Sequence, residues 1–295
     1  KQLDFAERLA RALKEASLVD TKNLNTKLNR YTKEYKWLAP NIGEGFSHAQ
    51  QQAKPPKDFI VLAVDGSQIE ASRDDPQDCF LINTGQVFIK YGKQPRAEFN
   101  NKPLLFFGDD QTTITDKNEV GVEHDIDSSI ISALRDTAEI NSMAELALKL
   151  PGDIPAFGLI DGSLSQWKVT SSNQRIQESL MEDYNLAVQR LKKIAQAKNL
   201  SIASYISSPA TKESINALRI GICPFTTPDC NKHCAGQPML SRPCDVIARV
   251  RDRDLFTKLL DPGQRSGLFN SKNSITSSKN SELISYFYIK TKTEI

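Results

Sequence analysis

Three carboxylates in this chain have the types and spacing for divalent-cation chemistry. Asp65 ends the apolar part of one run, Phe59-Ile60-Val61-Leu62-Ala63-Val64-Asp65-Gly66-Ser67, and Asp161 ends that of another, Ala156-Phe157-Gly158-Leu159-Ile160-Asp161-Gly162-Ser163. Both runs close in Asp-Gly-Ser. Between them a helical stretch carries Glu139 and Glu145, either of which offers a third oxygen ligand. Carboxylates gathered at one point repel one another unless a cation neutralises them. Oxygen ligands select magnesium or manganese over zinc, and two such ions about 4 Å apart activate a water and stabilise a leaving oxygen. Glu139 lies one turn after Arg135 and one turn before Met143, bordering the apolar stripe of its helix, and is favoured over Glu145, which sits beside Leu146. The alternatives are a turn cap for each Asp-Gly and a solvated helix face for each glutamate. Asp252 and Asp254 offer a fourth group from a later element.

A second constellation is soft. Cys223-x6-Cys230-x3-Cys234-x9-Cys244 gathers four thiols, with His233 and four prolines interspersed. Thiolates suit structural zinc or an iron–sulfur cluster. The spacing lacks the paired C-x2-C of common zinc modules, so a loop with unpaired thiols stays open as the alternative. Lone Cys79, inside a β-favouring run, reads as a small apolar strand residue. Arg242, Arg249, Arg251, Arg253 and Arg265 make the same region locally basic, either to contact phosphates or as a solvated face.

The elements that must position these groups follow from periodicity. Each Asp run is apolar and β-branched enough to read as a strand buried on both faces, with Gly-Ser as a turn after it. Further strands are expected at Cys79–Tyr91, at 103–107 and at 202–207, and helices over 127–150, 172–198 and 212–219. A polar turn is expected at 72–76, a loop at 108–123 and a mobile Ser/Asn/Lys-rich loop at 270–282. The order is three strands, then helix, strand, helix, strand, helix. Connections too short for crossovers make the first three an antiparallel meander, and the later strands add in parallel. That α/β mixed sheet with flanking helices has the order of a ribonuclease H-like fold, where the first strand and the strand after the first helix are parallel neighbours. Asp65 and Asp161 then sit side by side, at the strand ends where α/β sheets place ligands.

The expected divisions are an N-terminal helical region (1–50, with Phe5, Leu9 and Leu13 at helical spacing), the ribonuclease H-like core (51–221), a Cys-rich insertion (222–246) and a C-terminal part (247–295). The stretch from Ser285 to Ile295 reads as a strand still in progress where the sequence stops. The sequence opens on Lys with no apolar signal core, which reads as a processed start and a cytoplasmic setting. No apolar run is long enough for a membrane span. With 38 basic and 36 acidic residues, charge neither demands nor excludes a nucleic-acid partner. No Gly-rich phosphate loop with Lys is present, which disfavours an ATPase.

Taken together, Val64-Asp65-Gly66-Ser67, Leu134-Arg135 through Glu139, Leu159-Ile160-Asp161-Gly162-Ser163-Leu164 and Tyr205-Ile206-Ser207 resemble the NurA nucleases, in detail the bacterial NurA-domain proteins. Leu260-Asp261-Pro262-Gly263-Gln264-Arg265-Ser266-Gly267-Leu268-Phe269 and Tyr286-Phe287-Tyr288 extend the resemblance to roughly residues 57 to 295. It implies a manganese-dependent DNA nuclease with 5′-to-3′ exonuclease and single-strand endonuclease activity. It also implies a homodimer working with a HerA-type hexameric ATPase in DNA end processing. By motif, Asp65 and Asp161 match the family's metal-binding aspartates and Glu139, less closely Glu145, its helix glutamate. The family's C-terminal tyrosine and histidine lie beyond the last residue here, and His48, His124 and His233 stand in no such context. A non-catalytic DNA-binding or helicase-docking module on the same fold is the rival expectation.

Overall fold

The computed structural model describes residues 3–31, 37–70, 79–108, 113–115, 123–164, 174–238, 240–271 and 284–291. The chain forms two compact units, one of residues 1–54 with 207–295 and the other of residues 55–206. In chain order the elements are α1 (Phe5–Leu18), α2 (Thr21–Arg30), β1 (Asn41–Ile42), β2 (Ala49–Gln51), β3 (Phe59–Ile69), β4 (Cys79–Tyr91), β5 (Arg96–Phe107), β6 (Thr113–Thr115), β7 (Glu123–Asp125), α3 (Ser128–Leu148), β8 (Ala156–Asp161), α4 (Gln174–Ala197) and β9 (Leu200–Tyr205). There follow α5 (Glu213–Ile222), α6 (Cys230–Cys234), a 3-10 helix (Pro243–Ile247), α7 (Asp252–Leu259), β10 (Gln264–Ser266), β11 (Phe269–Asn270) and β12 (Ser285–Tyr286). Among the described residues no helix is long and apolar enough to cross a membrane.

The unit of residues 55–206 is built on one five-stranded sheet in the order β5-β4-β3-β8-β9. β3 with β4 and β4 with β5 are antiparallel, whereas β3 with β8 and β8 with β9 are parallel. This is the meander plus parallel strands that the element order predicts, a ribonuclease H-like arrangement. A parallel neighbour requires a crossover, and α4 supplies the one between β8 and β9. Helix α3 begins where the Asp127 carboxylate accepts from the Ser129 and Ile130 N–H groups, both at 2.9 Å, satisfying donors that a helix start leaves orphaned. Its apolar side chains Ile140, Met143, Leu146 and Ala147, with Tyr184, Ala187 and Leu191 of α4, cover Ile60, Leu62 and Val64 of β3 and Ala156 and Ile160 of β8. Burying each larger apolar side chain contributes about 1.5–3 kcal/mol.

Two strand expectations change. The Asp strands are not buried on both faces: along Phe59–Val64 fully buried residues alternate with half-buried ones, because α3 packs on one face. The segment 108–123 is not all loop, since β6 pairs antiparallel with β7. The turn expected at 72–76 lies outside the described residues, as does most of the loop expected at 270–282. Cys79 is half-buried at the start of β4.

The other unit is mainly helical. Leu24 and Leu28 of α2, Leu218 of α5, Ile247, Phe256 of α7, Phe46 and Phe269 share one core. Two small antiparallel sheets, β1-β11-β12 and β10-β2, tie early chain to late chain. Helix α1 buries Arg8, Ala12 and Ala16 rather than the expected Phe5 stripe, and Phe5 stays 52% exposed. The cause is a polar anchor: Arg8 donates to the carbonyls of Leu3 and Asp245, and the two alanines allow close approach, leaving Leu9 and Leu13 at the core's edge. Of the expected C-terminal strand, the described residues form Ser285–Tyr286 and a bridge between Ile289 and Arg265, and residues 292–295 lie outside the described residues.

Asp252 is wholly buried in this unit, and both its oxygens are engaged. One accepts from the Ile215 N–H at 2.9 Å; the other accepts from the hydroxyls of Tyr288 at 2.8 Å and Thr211 at 3.0 Å and from the Ser214 N–H at 3.3 Å. Ser214 and Ile215 lie in the first turn of α5, whose N-cap Lys212 provides no side-chain cap. Asp252 therefore caps α5 from a remote position, and Asp254 accepts from the Arg251 N–H in its own helix. Burial and four accepted hydrogen bonds commit Asp252 to this role and leave it no room as the fourth cation ligand that the sequence offered. Asp252→Ala should destabilise this unit by about 2 kcal/mol, the order expected for removing a cap and orphaning buried donors. A urea midpoint equal to wild type would contradict the capping role.

Candidate metal centre

Register places the two aspartates side by side. Val64 of β3 is level with Ile160 of β8, so Asp65 and Asp161 follow at the same level on parallel strands about 4.8 Å apart. The row continues on both sides: Asp65 pairs with Gly85, Gly85 with Asn101, and Asp161 with Tyr205. Both aspartates are exposed. Gly85 contributes no side chain, so the row is open beside Asp65. The two Asp-Gly-Ser phrases end differently. At Asp161 the strand stops, and Gly162 turns the chain at φ +87° while donating its N–H to the Tyr205 carbonyl. At Asp65 there is no turn: Gly66 and Ser67 continue β3, paired with Thr84 and Asn83. The cap reading thus fails for Asp65.

Glu139 arrives from α3. It is only 6% exposed and packs against the Gly66 backbone, whose N–H lowers its pKa slightly. A Cβ on residue 66 would stand 2.4 Å from Glu139 Oε1 and 2.8 Å from Arg135 Cγ. Glycine is required there because the helix carboxylate abuts the strand backbone. Gly66→Ala should cost about 1–3 kcal/mol, the usual penalty for forcing atoms into a packed site, read as a lowered thermal midpoint. An unchanged midpoint would mean that Glu139 is not held at this position.

Burial pushes the Glu139 carboxyl up to about 7; Asp136 and Asp65 push the same way, and Arg135 opposes. The Arg135 guanidinium holds this corner together, with Nε 3.4 Å from Glu139 Oε1, Nη2 2.9 Å from Asp136 and Nη1 3.3 Å from Gln68. Tyr184 of α4 donates to the Leu164 carbonyl at 2.7 Å, and its hydroxyl is pushed up by burial, then by Asp136 and Glu139. Asp136, Arg135 and Tyr184 were not singled out by sequence. The first two precede Glu139 by three and four residues, a spacing that places them on its helix face. Tyr184 carries no comparable signal, since it reaches the corner from a different helix.

Glu145 is exposed and ion-paired with Lys102 of β5. The four cysteines belong to the other unit, where all four line one small cavity. Arg242 pairs with Asp245 and Arg265 with Glu44, Arg253 is 3.7 Å from Asp254, and Arg249 and Arg251 are exposed. Among the described residues no three His, Cys, Asp or Glu side chains stand close enough together to hold a metal ion. Asp65 lies beside Asp161 and within electrostatic reach of Glu139, but alternation along β3 turns it away from the helix face. The donor chemistry fits a hard divalent cation: the groups are carboxylates only, and the buried one is raised first by burial and then by Asp136 and Asp65, a penalty on the charged form that an adjacent cation offsets.

Several solved structures are similar in part. The PFV RNase H domain is 16% identical with a TM-score of 0.28, covering 55% of this chain and 87% of that one. The Prototype Foamy Virus protease–reverse transcriptase is 17% identical with a TM-score of 0.27, covering 54% of this chain; only 19% of that longer chain is spanned. LC9-RNase H1, described as a type 1 RNase H with the type 2 active-site motif, is 8% identical with a TM-score of 0.26, covering 56% of this chain and 71% of that one. Comparison with curated proteins found no match. The NurA domain matches residues 59–294, most of the sequence, and the chain belongs to that family.

Proposed function

We propose that the chain is a metal-dependent DNA nuclease, with Asp65, Glu139 and Asp161 holding manganese or magnesium. The observation that carries this reading is the pairing of two exposed aspartates on adjacent parallel strands with a buried glutamate fitted against Gly66. When bound, a divalent cation supplies Lewis-acid charge and a water of lowered pKa at the scissile phosphodiester. Asp65 and Asp161 face solvent and provide the open side of the site. Glu139 provides the sheltered side, its orientation fixed by the Gly66 backbone and by Arg135. Arg135 holds positive charge beside Asp136 and Glu139, so fewer negative charges confront the incoming phosphate.

The finer description rests on family membership. It comprises 5′-to-3′ exonuclease and single-strand endonuclease activity, a homodimer, and a HerA-type hexameric ATPase as partner in DNA end processing. Incubating end-labelled single- and double-stranded DNA with the protein should give cleavage with manganese and none with excess chelator. Binding of DNA without cleavage would leave a docking module as the reading instead.

A further inference from the structure

The cysteine cavity is independent of the carboxylates. Four thiols reach it from two elements and one cap. Cys223 is the C-cap of α5, Cys230 and Cys234 begin and end α6, and the buried Cys244 lies in the 3-10 helix. The four-residue spacing of Cys230 and Cys234 puts both on one side of a helical turn. All four line a single cavity of about 20 Å³, walled otherwise by Trp37, Phe225 and the prolines next to the cysteines. That volume admits one ion or one water and no more.

We propose that Cys223, Cys230, Cys234 and Cys244 form a tetrathiolate site for one structural zinc ion, which ties the end of α5, α6 and the 3-10 helix together. Zinc accepts four thiolates in a closed tetrahedral shell with Zn–S distances of about 2.3 Å. A four-iron cluster also takes four thiolates, and metal analysis separates the two. The thiols do not yet stand at ligating separation, so binding draws the sulfurs inward by side-chain rotation, within a backbone stiffened by Pro224 and Pro243.

Charge is provided for. Four thiolates and Zn²⁺ carry a net double negative charge. Arg219 lines the cavity and donates to the Cys244 carbonyl at 3.3 Å, Arg242 precedes Cys244 by two residues, and Lys27 donates to the carbonyls of Gly221 and Cys223. Asp245 anchors both arginines, at 2.5 and 3.0 Å. His233 also borders the cavity, but its ring is stacked on Phe225 at 3.8 Å between centroids, so it completes the wall and not the ligand set.

Elemental analysis of the full chain, purified reduced and without chelator, should find about one zinc per chain. Replacing zinc by cobalt should give tetrahedral d–d bands with strong sulfur-to-metal charge transfer. The Cys230→Ser/Cys234→Ser variant should lose the metal, and His233→Ala should keep it. If the double variant fails to fold, the cobalt spectrum of the wild type decides. Absence of both stoichiometric zinc and sulfur-to-cobalt bands overturns the site. Iron with sulfide in place of zinc overturns the assignment of the metal, and loss of zinc in His233→Ala overturns the four-cysteine ligand set. None of these readouts depends on nuclease activity.

Discussion

Asp65→Asn and Asp161→Asn should each lower manganese-dependent DNA cleavage by about a thousandfold, equivalent to roughly 4 kcal/mol of transition-state stabilisation. Asn keeps the shape but loses the charge, so the change isolates electrostatics. Both side chains are exposed and neither is in the core, so folding should survive, with unfolding free energies within about 1 kcal/mol of wild type. The two sites adjoin, so their effects should be non-additive: the double variant should fall little below either single one. DNA binding should persist or tighten, since a negative charge facing the phosphate is gone. Cleavage by Asp65→Asn at the wild-type rate would remove that aspartate from the chemistry. If full additivity were found instead, the two residues would not serve one centre.

Glu139→Gln should separate function from stability. Cleavage should drop by a similar factor, about a thousandfold. In chelator, however, the variant should be more stable than wild type above neutral pH. The ordinary carboxyl value is 4.5, and burial raises that of Glu139 to about 7 in the folded chain. Below about 4.5 both states carry the proton and no penalty exists. Between 4.5 and 7 the unfolded chain gives up its proton while the folded chain keeps it, so stability falls as pH rises through that window. Above 7 the folded protein holds a poorly solvated carboxylate at a cost of about 3 kcal/mol. Gln avoids this while keeping the side chain's shape. The pH slope should shrink but not vanish, because burial and Asp252 also raise Glu213 to about 7. Manganese should reverse the order of stability, since only the carboxylate gains from a cation. Equal unfolding midpoints at pH 5 and pH 8 for both proteins would contradict the burial of a titrating Glu139.

The sheet was legible because its signals are local and repeated. Cys79–Tyr91 is recovered to the residue, since its β-branched and aromatic run is bounded by turn residues. The adjacency of Asp65 and Asp161 was also legible, because the order of strands and helices fixes which strands are parallel neighbours. What sequence could not give is how the strand behaves after Asp65. Gly66-Ser67 has turn composition, yet β4 is long enough to keep pairing with it, and tertiary pairing overrides local preference. The role of Gly66 was hidden for the same reason: a glycine demanded by a helix side chain looks identical to one demanded by a turn. Asp252 misled in a different way. Its charged neighbours suggested a surface, whereas its carboxylate is buried against the start of α5, a contact made across 37 residues. The Phe5 stripe failed because an arginine anchored by carbonyls has no place in a hydropathy pattern.

The most direct measurement is anomalous scattering from crystals soaked in manganese. It should show manganese density bounded by the carboxylates of Asp65, Asp161 and Glu139, with the Arg135 guanidinium displaced from Glu139. Density at that place must vanish in Asp65→Asn. Ordered manganese elsewhere, or none in a crystal whose protein cleaves DNA, would contradict the assignment of the catalytic centre.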